Sequence, residues 1–217
     1  MTVVLHEFAH GIVGYWGGDY TVKERGGLSL NPLQYVDPVM SIVLPAVFLA
    51  LGGTPLPGGV TYIDRSLLRS RWWESAMSLA GPAMNFILFL LLALPMHPAL
   101  GWVRPAPGEL PTNFQHFLGA MVFLQFFSAL FNLIPVPPLD GFQMVAAHMG
   151  ERAQQLSAPP TGFVCLIVFF MLLRAVPDLW TRMFVPCAQI LELLGFDYEA
   201  IEMIRVGFNT AMLGSSS

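Results

Sequence analysis

The chain has 217 residues, of which 55% are hydrophobic and only 11% are charged, and its mean hydropathy is +0.62. A soluble domain usually carries about a quarter charged residues, and a body of this size has too much surface to hide so much apolar sequence. The composition therefore excludes an ordinary soluble domain and predicts a membrane protein, while a net charge of −4 without any basic tract argues against nucleic acid as a partner.

The first predicted helix, residues 2–15, contains the pattern His-Glu-x-x-His in an apolar setting. Residues four apart share one face of a helix, so His6 and His10 can each offer an imidazole nitrogen to one zinc ion. Glu7 lies one step around the helix, within reach of a proton on a metal-activated water. The alternative is two core histidines, which is a costly arrangement in membrane-like sequence unless the imidazoles pair or bind metal.

A polar stretch, residues 19–31, follows the first helix. In it, apolar and polar residues alternate on either side of Gly26-Gly27, a pattern that is typical of a β-hairpin. We therefore expect a small hairpin after the first helix.

Apolar runs account for most of the remaining chain, and the longer ones match the roughly 20 residues that a membrane-crossing helix needs. They cover residues 39–51, 75–95, 114–134 and 161–176, and an amphipathic segment over residues 179–213 is typical of a helix at the membrane interface. The predicted fold is an all-α polytopic membrane protein, a bundle of about four to six transmembrane or re-entrant helices. We expect one domain over residues 1–217, with a core at 1–150 and C-terminal helices at 161–213.

A candidate for a third metal ligand is Asp140, because a catalytic zinc site needs three protein ligands and leaves a fourth position for water. Prolines at positions 135, 137 and 138 break the preceding helix. Irregular backbone at membrane depth is tolerated only where protein or a water-filled cavity satisfies it, so an acidic residue there is a functional candidate. On these residues alone, an aspartate that caps the next helix is an equally good interpretation.

Together, the two patterns resemble the site-2 protease family of intramembrane zinc metalloproteases. That family pairs His-Glu-x-x-His with Asn-x-x-Pro-x-x-Pro-Leu-Asp-Gly, and residues 132–141 match every fixed position of the second pattern. Residues 80–85 are similar to the family's Gly-Pro-x-x-Asn segment, and residues 30–33 resemble its short, PDZ-free, bacterial-type branch.

The resemblance implies a role for each matched residue. It implies His6, His10 and Asp140 as the ligands of one Zn²⁺ per chain and Glu7 as the general base. It also implies Asn132 as a catalytic polar group near the reacting carbonyl, where an amide N–H would stabilise an oxyanion.

Three further features complete the sequence interpretation. Asn85 either binds the substrate backbone or joins two helices through a hydrogen bond. Residues 59–64 stand where many short relatives carry Gly-Trp-x-Lys-Pro, and we interpret the departure as a subfamily difference because no predicted ligand lies there. The predicted hairpin would offer a strand edge to an unwound substrate.

The predicted function is hydrolysis of peptide bonds in or near transmembrane segments of membrane proteins, with such a substrate and the lipid bilayer as partners. The resemblance implies a bacterial inner membrane protein whose active site opens toward the cytoplasm. The alternative is a non-catalytic pseudoprotease that binds membrane clients around a structural metal; Glu7 favours the enzyme, because a closed structural site needs no general base.

Overall fold

The computed structural model describes residues 1–50, 58–105, 109, 111–158, 160–176 and 178–213. These residues are helical with connecting turns, and no strand occurs among them, which confirms the all-α class. The α-helices are α1 Thr2–Gly17, α2 Thr21–Glu24, α3 Leu44–Ala50, α4 Arg71–Ala93, α5 Asn113–Asn132, α6 Asp140–Met149, α7 Glu151–Gln155, α8 Thr161–Arg174, α9 Leu179–Leu193 and α10 Tyr198–Leu213. A π-helical turn, Val39–Val43, leads into α3, and short 3₁₀ turns occur at Pro32–Tyr35, Arg65–Leu67 and Leu94–Met96.

Two helices in the described part of the chain are long and apolar enough to cross a membrane, Arg71–Met96 and Asn113–Asn132. They coincide with the predicted runs at 75–95 and 114–134. The helix α8 is apolar but shorter, and the run predicted at 39–51 is a π-helical turn followed by α3, with its last residue outside the described range. The larger number of membrane helices stays a prediction.

The β-hairpin predicted over residues 19–31 is wrong, because this stretch begins with the short helix α2 and continues as turns. Asp19 is fully buried, and its Oδ1 accepts hydrogen bonds from Thr21 N at 3.0 Å and from Thr21 Oγ1 at 2.5 Å. An aspartate that bonds two residues ahead in this way starts a helical turn instead of a strand. The idea that a hairpin edge receives the substrate is therefore not retained.

Packing against α1 reinforces this turn structure. Val22 is fully buried, and Gly27 N donates to Val22 O at 2.9 Å. A Cβ atom at Gly11 would lie 2.1 Å from Gly27 O, so the missing side chain lets the turn lie directly on α1. Burial of Val22 and this close backbone approach outweigh the local alternation that predicted strands.

The chain divides into two compact units, and α4 and α5 each contribute to both. Unit 1 comprises Met1–Asn85 and Ala129–Ala175, and unit 2 comprises Phe86–Ser128 and Val176–Ser217. All six predicted site residues lie in unit 1. The single domain predicted over 1–217 stays a prediction.

Unit 2 packs α10 against α5 through small residues. A Cβ at Gly119 would lie 2.7 Å from Met203 O, and one at Gly207 would lie 2.3 Å from His116 O. Next to these contacts the rings of Phe123 and Phe208 pack with centroids 4.2 Å apart. The apolar face of the amphipathic helix α10 is thus covered by α5.

Candidate metal centre

The first pair of candidate ligands lies on one face of α1. His6 and His10 are both buried, and their Nε2 atoms are 3.1 Å apart. The four-residue spacing in a regular helix brings the two rings together, with centroids 4.7 Å apart.

Asp140, on another helix of unit 1, brings a carboxylate oxygen to the same point. Its Oδ2 lies 3.2 Å from His6 Nε2 and 3.4 Å from His10 Nε2. Asp140 is the first residue of α6, where the helix dipole favours a negative charge. Gly141 makes the position possible: a Cβ there would lie 2.1 Å from Leu133 O, so only glycine lets α6 begin this close to the end of α5.

The three donor atoms fit a zinc ion. Ligands about 2.0–2.1 Å from a tetrahedral Zn²⁺ are roughly 3.3 Å from one another, and the observed separations are 3.1, 3.2 and 3.4 Å. Three converging donors of these types are a complete protein ligand set for a catalytic zinc site, with a fourth position left for water.

The orientation of His10 is set from outside the ligand set. His10 Nδ1 lies 2.7 Å from Met77 O, a buried contact in which a ring N–H donates to the α4 backbone carbonyl. A proton on Nδ1 leaves the Nε2 lone pair free for metal, as is usual for metal-ligating histidines. His6 Nδ1 is buried and has no hydrogen-bond partner among the described residues, so its ring is held by the helix and by packing.

Gly81 on α4 keeps the space beside these donors open. A Cβ at this position would lie 2.3 Å from His10 Nε2 and 2.5 Å from His6 Nε2. Pro82 follows directly within the helix. Because any side chain at position 81 would press on both donor nitrogens, the glycine is part of the geometry of the site.

Glu7 is buried next to the candidate ligands, and its side chain contacts Thr61, in a segment that holds none of those ligands. Thr61 Oγ1 lies 2.9 Å from Glu7 Oε2 and 2.9 Å from Glu7 O. Tyr35 is also near: burial raises the pKa of its hydroxyl, and the negative charge of Glu7 raises it further. That hydroxyl donates to Ser29 O at 2.6 Å.

The two predicted asparagines occupy different places. Asn85 is buried on α4, four residues after Gly81 and therefore on the same face of the helix. Asn132 is half-buried and is the last residue of α5, just before the turn that leads to Asp140. Their roles with a substrate stay predictions, as do the ligand roles of the two histidines and the aspartate.

Sequence reasoning missed Thr61 and the contribution of Met77, and it gave Gly81 no role in the geometry of the site. Thr61 is 54 positions from Glu7 in the chain, and no motif marks the pair. The contact of His10 with Met77 involves a backbone carbonyl, which every residue has. Only Gly81 carried a signal, because it belongs to the segment that resembles Gly-Pro-x-x-Asn.

Comparison with known proteins gives a consistent set of relatives. Residues 99–175 match the model of peptidase family M50. The chain is 36% identical over 180 residues to "Putative zinc metalloprotease Rip2" of Mycolicibacterium smegmatis. The aligned region covers 83% of this chain and 66% of that protein. The chain is 33% identical over 186 residues to the protein of the same name from Mycobacterium tuberculosis, covering 82% and 65% of the two chains.

A third relative is covered more fully. The chain is 33% identical over 177 residues to "Putative zinc metalloprotease YwhC" of Bacillus subtilis, with 79% of this chain and 77% of that protein aligned. By contrast, the chain spans slightly less than two thirds of the length of the Rip2 proteins. No solved structure matches the chain.

Proposed function

The chain belongs to peptidase family M50, the site-2 proteases, and on that premise we propose that it is a zinc metalloendopeptidase that cleaves in or near transmembrane segments of other membrane proteins. The observation that carries the proposal is the convergence of His6 Nε2, His10 Nε2 and Asp140 Oδ2, all within 3.4 Å of one another. The printed names of the relatives, which call them zinc metalloproteases, support the choice of metal.

The residues divide the chemistry between them. When bound, zinc polarises a peptide carbonyl and lowers the pKa of water. Glu7 takes the proton of the attacking water and passes it to the leaving amine. Asn132 donates its amide N–H to the developing oxyanion, a contact worth about 3 kcal/mol where such donors have been removed. Asn85 holds the substrate backbone.

The proposed setting is a membrane. Two helices that are long and apolar enough to cross a bilayer support it. We place the protein in the bacterial inner membrane, with the site open toward the cytoplasm, as the family resemblance implies. A transmembrane helix of the substrate must unwind locally there, because its carbonyl groups otherwise stay in their own hydrogen-bond ladder.

The metal assignment is tested by measuring zinc per chain in detergent-purified protein. We expect about one zinc in the native chain, loss of zinc in His10→Ala and Asp140→Ala, and retention of zinc in Glu7→Gln. A native chain without zinc, or a Glu7→Gln variant without it, contradicts the assignment.

The catalytic assignment needs a substrate readout in addition. A panel of single-span membrane proteins, co-reconstituted in liposomes, is scored for cleavage by the native chain and by Glu7→Gln. We expect cleavage of at least one panel member by the native chain and none by Glu7→Gln. Near-native cleavage by Glu7→Gln refutes its role as the base, and a zinc-loaded native chain that cleaves no panel member favours the pseudoprotease.

A further inference from the structure

The carboxylate of Glu7 is held by a segment that contributes no candidate metal ligand. Residues 58–64 run past α1 between α3 and the 3₁₀ turn Arg65–Leu67. The Thr61 hydroxyl in this segment lies 2.9 Å from Glu7 Oε2 and 2.9 Å from Glu7 O. The hydroxyl has a single proton, which these two acceptor oxygens share, so one side chain bridges the carboxylate of Glu7 and the backbone of the same residue.

Gly59, in the same segment, limits where the Glu7 side chain can go. A Cβ at this position would lie 3.0 Å from Glu7 Cγ and 3.4 Å from Glu7 Oε1. The backbone at Gly59 therefore packs against one side of the side chain, while the Thr61 hydroxyl contacts Oε2. This segment therefore borders both oxygens of the Glu7 carboxylate, with the Thr61 hydroxyl at Oε2 and the Gly59 backbone beside Oε1.

The segment itself is fixed at several points. Val60 N donates to Tyr35 O at 3.0 Å, and Ser41 Oγ donates to Gly58 O at 2.8 Å. At the other end, Asp64 N donates to Asp19 Oδ2 at 2.7 Å. Thr61 is thus held between anchored residues, which is what a group that orients another side chain requires.

We propose that Thr61 is a positioning residue for Glu7: its hydroxyl holds the Glu7 carboxylate in the orientation in which it takes the proton of the attacking water. The inference rests on the proposed protease function. A loss of the hydroxyl leaves Glu7 present but free to rotate, and misplacement of a catalytic group by about 1 Å can cost on the order of 100-fold in rate. We therefore expect kcat to fall about 10- to 100-fold in Thr61→Val, with KM and bound zinc unchanged.

Three variants separate this role from a general structural one. Thr61→Val removes the hydroxyl at nearly constant shape, and Thr61→Ser restores it. Thr21→Val is the matched control. It removes another threonine hydroxyl that contacts a buried carboxylate in unit 1, since Thr21 Oγ1 lies 2.5 Å from Asp19 Oδ1.

The first readout needs neither metal nor substrate. The infrared carboxylate stretch of Glu7 is assigned in the metal-free native chain as the band that disappears in Glu7→Gln. We expect this band to shift in Thr61→Val, to return in Thr61→Ser and to stay in place in Thr21→Val. An unshifted band in Thr61→Val overturns the proposal, because the hydroxyl then does not hold the carboxylate.

The second readout is kinetic. On a panel member that the native chain cleaves, a kcat loss in Thr61→Val that Thr61→Ser reverses, with zinc retained, supports the proposal. A shifted band with unchanged kcat, or an equal kcat loss in Thr21→Val, overturns it while leaving the protease function intact. A native chain that cleaves nothing overturns the proposed function and, with it, the positioning role of Thr61 in catalysis. In that case the infrared band shift still shows whether the Thr61 hydroxyl contacts the Glu7 carboxylate.

Discussion

Replacement of Gly81 by alanine adds one methyl group at the point where the candidate ligands meet. Its Cβ would lie 2.3 Å from His10 Nε2 and 2.5 Å from His6 Nε2, whereas ordinary contacts of a Cβ begin at 3.4 Å. The imidazoles or α4 must therefore move by about 1 Å, several times the roughly 0.2 Å that a metal–ligand distance tolerates. Changes outside the ligand set already cost 10- to 100-fold in metal affinity, so we expect a loss of at least about 100-fold, or roughly 2.8 kcal/mol.

The assay is competition for zinc between the purified protein in detergent and a chromophoric chelator of known affinity. Gly14→Ala is the matched control: it also adds one methyl group to a helix of unit 1, but its nearest neighbour is the side chain of Ile63, at 3.1 Å, and not a candidate ligand. We expect Gly14→Ala to keep its zinc and Gly81→Ala to lose it.

A Gly81→Ala protein that folds and binds zinc with native affinity would refute the reasoning. It would mean that α4 does not approach His6 and His10 as described. Equal zinc loss in both variants would indicate instead that any added methyl group destabilises the fold of unit 1.

Two other predictions concern stability. The two carboxylate oxygens of the fully buried Asp19 accept hydrogen bonds from the backbone N–H groups of Thr21 and Asp64, so Asp19→Asn places an amide N–H₂ opposite one of these donors. We expect the free energy of unfolding to fall by about 1.5–3 kcal/mol. An unchanged melting temperature in detergent would contradict this. Burial alone would raise the pKa of Asp197, but hydrogen bonds from Ala200 N and Arg104 hold it below its ordinary value of 3.8. The ionised carboxylate of Asp197 therefore stabilises the folded state above pH 3.8, and this contribution is lost as the pH falls through the folded-state pKa. When the pH is lowered from about 5, we expect the melting temperature of Asp197→Asn to fall less steeply than that of the native chain. Equal slopes would contradict the assignment.

The sequence predicted the features that are written in local patterns. The first helix was predicted over residues 2–15 and is observed as Thr2–Gly17, and the two longest apolar runs became α4 and α5. These elements follow hydropathy and helix-ending glycines, which act over a few residues.

Other features depend on contacts between distant parts of the chain. The hairpin prediction failed because the turn that Asp19 forms with Thr21, and the burial of Val22 against α1, outweighed the local alternation of apolar and polar residues. Thr61 escaped notice for a similar reason, since its partner Glu7 is 54 residues away. The pattern around Asp140 left a metal ligand and a helix cap equally plausible; the structure brings its Oδ2 to the two histidines, and its role as a ligand stays a prediction.

The distance along the chain between the candidate ligands also has a consequence for protein synthesis. After His10, about 130 residues must be added before Asp140 is made. At about 5–20 residues per second, this interval lasts roughly 7–26 s. Through that time the nascent chain has the two imidazoles and Glu7 but lacks the third candidate donor, so the proposed metal centre cannot be complete on a partly made protein. Under the proposed function, the order of the elements in the chain thus delays activity at least until Asp140 has been made.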